Sequence, residues 1–219
     1  MAARQYELVV FDWDGTLMDS AGAIVRAIIA ACHDLALPPP SDAQARYVIG
    51  LGLGDALRHA VPSLSSDDYP RMVERYRHHF LSSDHELGLF PGMFEMIEVL
   101  ARRGRMLAVA TGKSRVGLDR ALGNTGLTPF FHATRCADEC FSKPHPAMLE
   151  ELMEELGVQP ERTLMVGDTT HDLQMARNAR VAAVAVSFGA HPRAALEAEA
   201  PLAIIDTPRG LSTWLTASA

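Results

Sequence analysis

Asp12 and Asp14 stand two residues apart, directly after a largely apolar stretch over residues 6–11. The stretch is short and contains β-branched residues, which predicts a buried strand. Two acids at the end of such a strand are unfavourable unless a cation, hydrogen bonds or a bound proton stabilises them. In phosphoryl-transfer chemistry, one aspartate can act as the nucleophile and a second carboxyl group can carry the proton.

Three further polar groups stand at or just beyond the ends of other predicted elements. They are Thr111 with Gly112, then Lys143, and then Asp168 with Asp172. Three or four carboxylates at one point predict a divalent cation bound through oxygen, most simply Mg²⁺. A threonine hydroxyl and the backbone N–H groups at a helix start suit a phosphate. The net charge is −7, so the cation and the lysine have to supply the positive charge locally. The set favours phosphoryl transfer.

Strand and helix patterns alternate at a spacing typical of an α/β fold, with a parallel sheet covered on both faces. The predicted strands cover residues 6–11, 106–110, 130–134, 163–166, 181–186 and 202–205. The predicted helices cover residues 21–35, 42–47, 55–60, about 69–80, 93–103, 114–122, 147–156, about 173–179, 192–199 and 208–215. In such folds, ligands bind at the carboxyl ends of the strands, where the polar groups stand.

A helical segment separates Asp12 from Thr111, although these residues end successive core strands. They are 99 positions apart, whereas a right-handed crossover with its own helix needs about 30 residues. We therefore predict an inserted all-α cap over residues 19–84 and an α/β core formed by residues 1–18 and 85–219. The glycine-rich run at 50–54 fits a flexible turn and a substrate-facing loop equally well.

Four motifs, DWDGTLMDS, TGKS, SKPHP and GDTTHD, occur in this order. They resemble the four motifs of the haloacid dehalogenase-like hydrolases. The resemblance covers the whole chain, and the helical segment is similar to the small cap of the phosphoglycolate phosphatase-like branch. It implies a Rossmann-like core and a Mg²⁺-dependent phosphatase that hydrolyses a small phosphate monoester, with phosphoglycolate as the first candidate.

The resemblance also implies a role for each catalytic residue. Asp12 would be the nucleophile that forms an aspartyl-phosphate, and it would bind Mg²⁺ together with the backbone carbonyl of Asp14 and with Asp168. The Asp14 side chain would protonate the leaving group and then activate water. Lys143 would neutralise the phosphoryl oxygens and orient Asp12, and Asp172 would support Lys143 or a metal-bound water.

The remaining candidate residues would bind the substrate or its phosphate. Thr111 and Gly112 would hold the phosphoryl oxygens, while Lys113 is equally well interpreted as a solvated residue at a helix start. Gly52 matches in position the cap loop that reaches the substrate in this branch. His171 has no required role, and we expect it at the surface or just behind the site.

Other functions stay open at this stage. A β-phosphoglucomutase-like phosphomutase and an inorganic pyrophosphatase are alternative enzymes, and a non-catalytic phosphate-binding protein is a third hypothesis. The resemblance disfavours a dehalogenase or a phosphonatase, because both lack an aspartate at the position of Asp14.

Composition limits the partners and the cellular location that we expect for the protein. The negative net charge argues against nucleic acid as a partner. No apolar run reaches the roughly 18 residues that span a membrane, and the first residues do not resemble a signal peptide. Three cysteines indicate a reducing cytoplasm rather than a disulfide framework. We expect a small phosphorylated metabolite as the partner, and a monomer or a homodimer.

Overall fold

A parallel sheet forms the centre of the chain. The computed structural model describes residues 6–218, apart from the side chains of His85 and Ser218; residues 1–5 and 219 of the predicted core segments lie outside this range. The strands are β1 (Leu8–Phe11), β2 (Met106–Thr111), β3 (Ala133–Cys136), β4 (Thr163–Gly167), β5 (Ala182–Val186) and β6 (Ala203–Ile205). They are ordered β3-β2-β1-β4-β5-β6, and all neighbouring strands are parallel. This sheet confirms the predicted fold class.

Helices cover both faces of the sheet and form the cap segment. They are α1 (Ala21–Asp34), α2 (Asp42–Tyr47), α3 (Leu53–Ala60), α4 (Tyr69–Ser83), α5 (Met93–Arg102), α6 (Arg115–Thr125), α7 (Ala147–Leu156), α8 (Thr170–Asn178), α9 (Arg193–Ala198) and α10 (Pro208–Ser218). Short 3-10 turns lie at Asp84–Glu86, Thr128–Phe130 and Pro160–Arg162. Within residues 6–218, no helix has both the length and the apolar character needed to cross a membrane.

The central strand β1 is buried on both faces of the sheet. Val9 and Phe11 belong to one hydrophobic cluster, whereas Leu8 and Val10 belong to another. Because successive side chains of a strand point to opposite faces, an unbroken apolar run is what two covered faces require. Burying each of these side chains stabilises the fold by about 1.5–3 kcal/mol. Strand β1 thus gives Asp12 a rigid base.

The segment from α1 to α4 has a hydrophobic cluster of its own. Ile28, Leu57 and Met72 are fully buried in it, and the loop after β5 contributes Ala190. The residues from α1 to α4 contain no strand in the part of the chain that is described. The helical content agrees with the predicted cap, whose limits at residues 19 and 84 stay a prediction.

The predicted strand over residues 130–134 is wrong in its position. Residues Thr128–Phe130 form a 3-10 turn with a proline at its start, and β3 begins only at Ala133. The Phe130 ring packs edge-to-face on Phe94 of α5, with 5.7 Å between ring centroids. The apolar run therefore covers a helix instead of entering the sheet. The other predicted elements are present, and their ends differ by no more than three residues.

Candidate active site

The carboxyl ends of β1, β2 and β4 lie side by side in the sheet. Phe11, the last residue of β1, pairs with Val109 of β2 and with Val166 of β4. The next residue, Asp12, donates its backbone N–H to the Val166 carbonyl oxygen at 2.9 Å. The residues that follow these three strands are therefore gathered at one edge of the sheet.

Lys143 lies buried between two aspartates. Its Nζ donates to Asp12 Oδ1 at 2.5 Å and forms an ion pair with Asp172 Oδ1 at 2.7 Å. Asp172 Oδ2 also accepts hydrogen bonds from the backbone N–H of Thr169 at 3.1 Å and from its hydroxyl at 2.7 Å. The first of these bonds, together with the Asp172 backbone N–H donating to the Thr169 hydroxyl at 3.3 Å, forms the capping box that begins α8, so the start of this helix fixes Asp172 in place.

Burial changes the ionisation of this group of charges. The pKa of Asp12 is raised from 3.8 to about 7, because burial outweighs the opposing charge of Lys143 and the nearby Asp172 adds to the rise. For Lys143, burial alone would lower the pKa, but the charges of Asp12 and Asp172 outweigh burial and raise it. Lys143 is therefore a permanent cation, whereas Asp12 needs positive charge around it to stay ionised at neutral pH.

Asp168 is a second buried carboxylate, and the backbone is shaped around it. Its pKa is raised well above 3.8, chiefly by burial. The Thr16 hydroxyl donates to its Oδ1 at 3.0 Å, and the Ala190 backbone N–H donates to its Oδ2 at 2.6 Å. A Cβ atom on Gly15 or on Gly189 would lie 2.2 Å from Oδ2. Both positions therefore need glycine to let the carboxylate enter.

The buried carboxylates form a group whose chemistry fits a divalent cation. One oxygen from each of Asp12, Asp168 and Asp172 lies within 4.8 Å of the other two. Asp12 Oδ2 is buried and has no hydrogen-bond partner among residues 6–218. Buried polar atoms are normally paired, and Mg²⁺ prefers carboxylate oxygens. Asp12 and Asp168 are thus placed as the sequence predicts, with Asp172 beside them, while metal binding itself stays a prediction.

Asp14 is not a member of this group and has partners of its own. The Ser20 hydroxyl donates to Asp14 Oδ1 at 2.6 Å, and Lys113 Nζ lies 3.0 Å from the same oxygen. The Lys113 ammonium group also stands over the Phe80 ring of α4, 4.9 Å from its centroid. Ser20 occupies the N-cap position of α1 but makes no side-chain capping bond. Its hydroxyl holds Asp14 instead, a role that the sequence analysis missed.

The sequence contains only two lysines, Lys113 and Lys143. Each of them contacts one of the two aspartates of the first motif: Lys143 contacts Asp12, and Lys113 contacts Asp14. The scarcity of lysine is a signal that could have favoured a site role for Lys113. The interpretation of Lys113 as a solvated residue at a helix start is wrong, because only 12% of its side chain is exposed.

Thr111 and the start of α6 lie beside these aspartates. Thr111 is the last residue of β2 and is fully buried. Its hydroxyl accepts a hydrogen bond from the backbone N–H of Lys113 at 3.2 Å. Ser114 then caps α6, since its side chain accepts from the Gly117 N–H at 3.3 Å. The turn from strand to helix thus brings a hydroxyl and backbone N–H groups to the site, as a phosphate-binding role requires.

Gly112 and Gly52 lie where the glycine-rich segment 50–54, the cap loop of this chain, contacts the core. A Cβ atom on Gly112 would lie 2.3 Å from the carbonyl oxygen of Leu51 and 2.7 Å from that of Gly50. The Gly52 backbone N–H donates to the Ser142 hydroxyl at 2.8 Å. The cap loop therefore sits directly on the TGKS and SKPHP segments, and Gly52 uses its N–H for this contact.

Two buried histidines form a contact that the sequence analysis did not predict. His171 Nε2 and His191 Nε2 both donate to the backbone carbonyl of Tyr47, the last residue of α2, at 2.7 and 3.0 Å. The Tyr47 ring stacks on the His191 ring, with 5.3 Å between centroids. His191 Nδ1 accepts from the Thr170 N–H at 3.1 Å, which makes the ring a neutral Nε2–H tautomer. Burial lowers the pKa of both histidines.

The amino-acid sequence is similar to those of known phosphatases. The model of the family described as haloacid dehalogenase-like hydrolase matches residues 9–186. A protein named probable phosphatase IndB, from Dickeya dadantii, is 38% identical over 206 residues, covering 91% of this chain and 89% of that protein. A protein named phosphoglycolate phosphatase, from Agrobacterium fabrum, is 31% identical over 188 residues, covering 83% and 81%.

A solved structure shares the fold over nearly its whole length. It is the crystal structure of a protein described as a predicted phosphoglycolate phosphatase from Haemophilus somnus. The two structures superpose with a TM-score of 0.86 at 26% identity, covering 98% of this chain and 99% of that one. The similarity therefore includes the helical segment as well as the sheet.

Proposed function

The chain belongs to the haloacid dehalogenase-like hydrolase family and is a phosphatase, and we propose that it hydrolyses a small phosphate monoester in a Mg²⁺-dependent reaction through an aspartyl-phosphate on Asp12. Phosphoglycolate is the first substrate to test, because several relatives carry the name phosphoglycolate phosphatase.

One observation carries the proposal: the two aspartates of the first motif have opposite surroundings. Asp12 is buried beside Lys143 and two further carboxylates, with Oδ2 left without a hydrogen-bond partner in the described chain. Asp14 is held by Ser20 and Lys113 and lines the cavity under the cap. Two carboxylates with different surroundings are suited to different tasks, one as nucleophile and one as proton carrier.

The cation site is argued from the donor set. Asp12, Asp168 and the backbone carbonyl of Asp14 would hold Mg²⁺, and Asp172 would orient Lys143. When bound, Mg²⁺ supplies positive charge for the phosphoryl oxygens and for the ionised nucleophile. Without Mg²⁺, burial leaves Asp12 with a raised pKa even though Lys143 lies beside it, and the protonated carboxyl group is a poor nucleophile.

The chain's own residues account for the two chemical steps. Asp12 attacks phosphorus while the Asp14 carboxyl group gives its proton to the departing alkoxide, so the alcohol leaves neutral. Thr111, the N–H groups that follow it and Lys143 hold the phosphoryl oxygens. In the second step, ionised Asp14 takes a proton from water, which attacks phosphorus, releases phosphate and restores the Asp12 carboxylate.

The direct test is phosphate release from an aryl phosphate with and without a divalent metal. We expect the Asp12→Asn variant and the metal-free enzyme to be inactive. Asp14→Asn should slow the breakdown of the phosphoenzyme, which acid-quench labelling with radioactive phosphate detects. Asp19→Asn is the matched control, because Asp19 is an exposed neighbour of the same motif. Activity that survives in Asp12→Asn would refute the proposal.

Product analysis separates the alternative enzymes. A phosphomutase converts one sugar phosphate into another without net release of phosphate, and an inorganic pyrophosphatase releases two phosphates from pyrophosphate. Net release of one phosphate and one alcohol from a monoester supports the hydrolase.

We also propose a reducing cytoplasm as the location, since Cys32, Cys136 and Cys140 are all unpaired. A monomer or a homodimer is proposed for solution, which light scattering tests.

A further inference from the structure

A cavity of about 810 Å³ lies between the cap and the core, on the Asp14 side of the site. Asp14, Gly112 and Lys113 line it at the core end, whereas Asp12 is not among its lining residues. Cavities of about 300–1,000 Å³ are the size that encloses most of a drug-sized ligand. This cavity therefore offers far more room than a phosphorylated two-carbon acid fills.

The position of Asp14 decides which part of a substrate enters this cavity. In phosphoryl transfer, the attacking and leaving oxygens lie roughly in line on opposite sides of phosphorus. On the proposed function, Asp12 attacks from the buried side and Asp14 protonates the leaving oxygen. Because Asp14 lines the cavity and Asp12 does not, the cavity receives the alcohol part of the ester.

The cap walls of the cavity are mainly apolar. Ile24 and Ile28 of α1, Leu57 of α3, and Val73 and Phe80 of α4 line it. All but Val73 are at least nine-tenths buried, and they belong to the hydrophobic cluster of the cap. Apolar walls of this extent gain free energy only when an apolar group displaces water from them.

The charged groups of the cavity give no separate site for a carboxylate. Lys113, Arg77 and Arg120 are the cationic side chains among the described residues that line it. Lys113 contacts Asp14 at 3.0 Å, and Arg120 forms an ion pair with Asp84 at 2.8 Å. Arg77 is exposed. Lys113 is thus the one largely buried cation among the described lining residues, and a carboxylated alcohol such as glycolate would have to share it with Asp14.

We propose that the substrate of this phosphatase is the phosphate monoester of an alcohol with an uncharged, largely apolar body of at least the size of one ring. This inference rests on the proposed function and narrows its substrate class. It sets the chain apart from those relatives that are named phosphoglycolate phosphatases.

Three esters of primary alcohols test the proposal: 2-phenylethyl phosphate, ethyl phosphate and 2-phosphoglycolate. The phenylethyl and ethyl esters share the same leaving-group type and differ mainly in the apolar body. We expect kcat/KM for 2-phenylethyl phosphate to exceed that for either of the other two by at least about tenfold, because apolar contacts discriminate on this scale. Free 2-phenylethanol should also inhibit hydrolysis of an aryl phosphate competitively, and glycolate should not.

A matched pair of variants tests whether the cavity wall is responsible. Val73→Asn places an amide in the wall, on a half-buried helical position of α4. Val99→Asn makes the same change at a half-buried position of α5 that does not line the cavity. We expect Val73→Asn to lower the ratio of kcat/KM between the phenylethyl and ethyl esters several-fold, and Val99→Asn to leave the ratio unchanged.

The outcomes separate this inference from the function on which it rests. Hydrolysis of phosphoglycolate or ethyl phosphate as efficient as that of the phenylethyl ester overturns the inference and leaves the phosphatase proposal standing. An unchanged ratio in Val73→Asn also overturns it. If no ester, including the aryl phosphate, releases phosphate in the presence of Mg²⁺, the proposed function fails, and the inference fails with it.

Discussion

The buried charge of Asp12 predicts that pH and Mg²⁺ act together on stability. In the unfolded chain this carboxyl group ionises near 3.8, but in the folded protein its pKa is about 7, mainly because of burial. Between these two values the folded state holds a proton that the unfolded state has lost. The stability of the metal-free protein should therefore fall as the pH rises from about 4 to 7. Asp168, whose pKa is also raised, acts in the same direction.

The size of the effect follows from the two pKa values. The difference between 3.8 and about 7 corresponds to about 4 kcal/mol of destabilisation above neutral pH. For a chain of 219 residues, this is a decrease in Tm of about 8–16 °C. A divalent cation beside Asp12 favours the ionised carboxylate and should recover much of this loss. Mg²⁺ is thus expected to raise Tm strongly at pH 8 and only weakly at pH 5.

Thermal unfolding followed by circular dichroism measures both the loss of Tm with pH and its recovery by Mg²⁺. The measurements are made at pH 5 and at pH 8, with either EDTA or Mg²⁺. Asp12→Asn removes the titrating group at nearly constant volume, so the metal-free variant should lose less Tm between pH 5 and pH 8 than the wild type. It should also gain less from Mg²⁺. Asp19→Asn, at an exposed position, should behave as the wild type does. Equal pH dependence in Asp12→Asn and in the wild type would refute the reasoning.

Three further predictions concern the contacts around the site. Lys143→Met leaves buried carboxylates unpaired and should lower the free energy of unfolding in urea at pH 8 by about 3–5 kcal/mol. Lys113→Met should lower it by clearly less. Equal losses in the two variants would contradict the geometry. Gly112→Ala should reduce kcat/KM by about 10²-fold, because its Cβ would meet the cap loop, whereas Gly123→Ala, with no atom within 4 Å of its Cβ, should not. His191→Phe keeps an aromatic ring but loses the hydrogen bonds to Thr170 and Tyr47, and should cost about 1–3 kcal/mol in the same urea assay.

The arrangement at the strand ends was predictable because a parallel sheet has only one edge at which its carboxyl ends meet. The strand pattern at 6–11 and the pattern at 163–166 require Asp12 and Asp168 to lie near each other once β1 and β4 are neighbours. No knowledge of side-chain contacts is needed for this step. The roles assigned to these residues stay predictions for the experiments above.

The partners of these residues were not predictable, because they depend on contacts between distant parts of the chain. His191 meets Tyr47 across 144 positions of sequence, and no local pattern marks either residue. Ser20 occupies the N-cap position of α1, yet its hydroxyl is directed to Asp14. The strand expected at 130–134 failed for a similar reason, since Phe130 packs on the helix α5.

The cap contacts residues that are sequence neighbours of the proposed catalytic residues, and these contacts connect substrate binding to catalysis. The cap loop contacts Gly112 and donates to Ser142, while α2 accepts a hydrogen bond from His171 of the fourth motif. Each contact lies within one residue of Thr111, Lys143 or Asp172. A change in the position of the cap would therefore displace the turn after β2, Lys143 and Asp172, which contacts that lysine. An alcohol that fills the cavity and holds the cap on the core would, by the same contacts, keep these groups aligned.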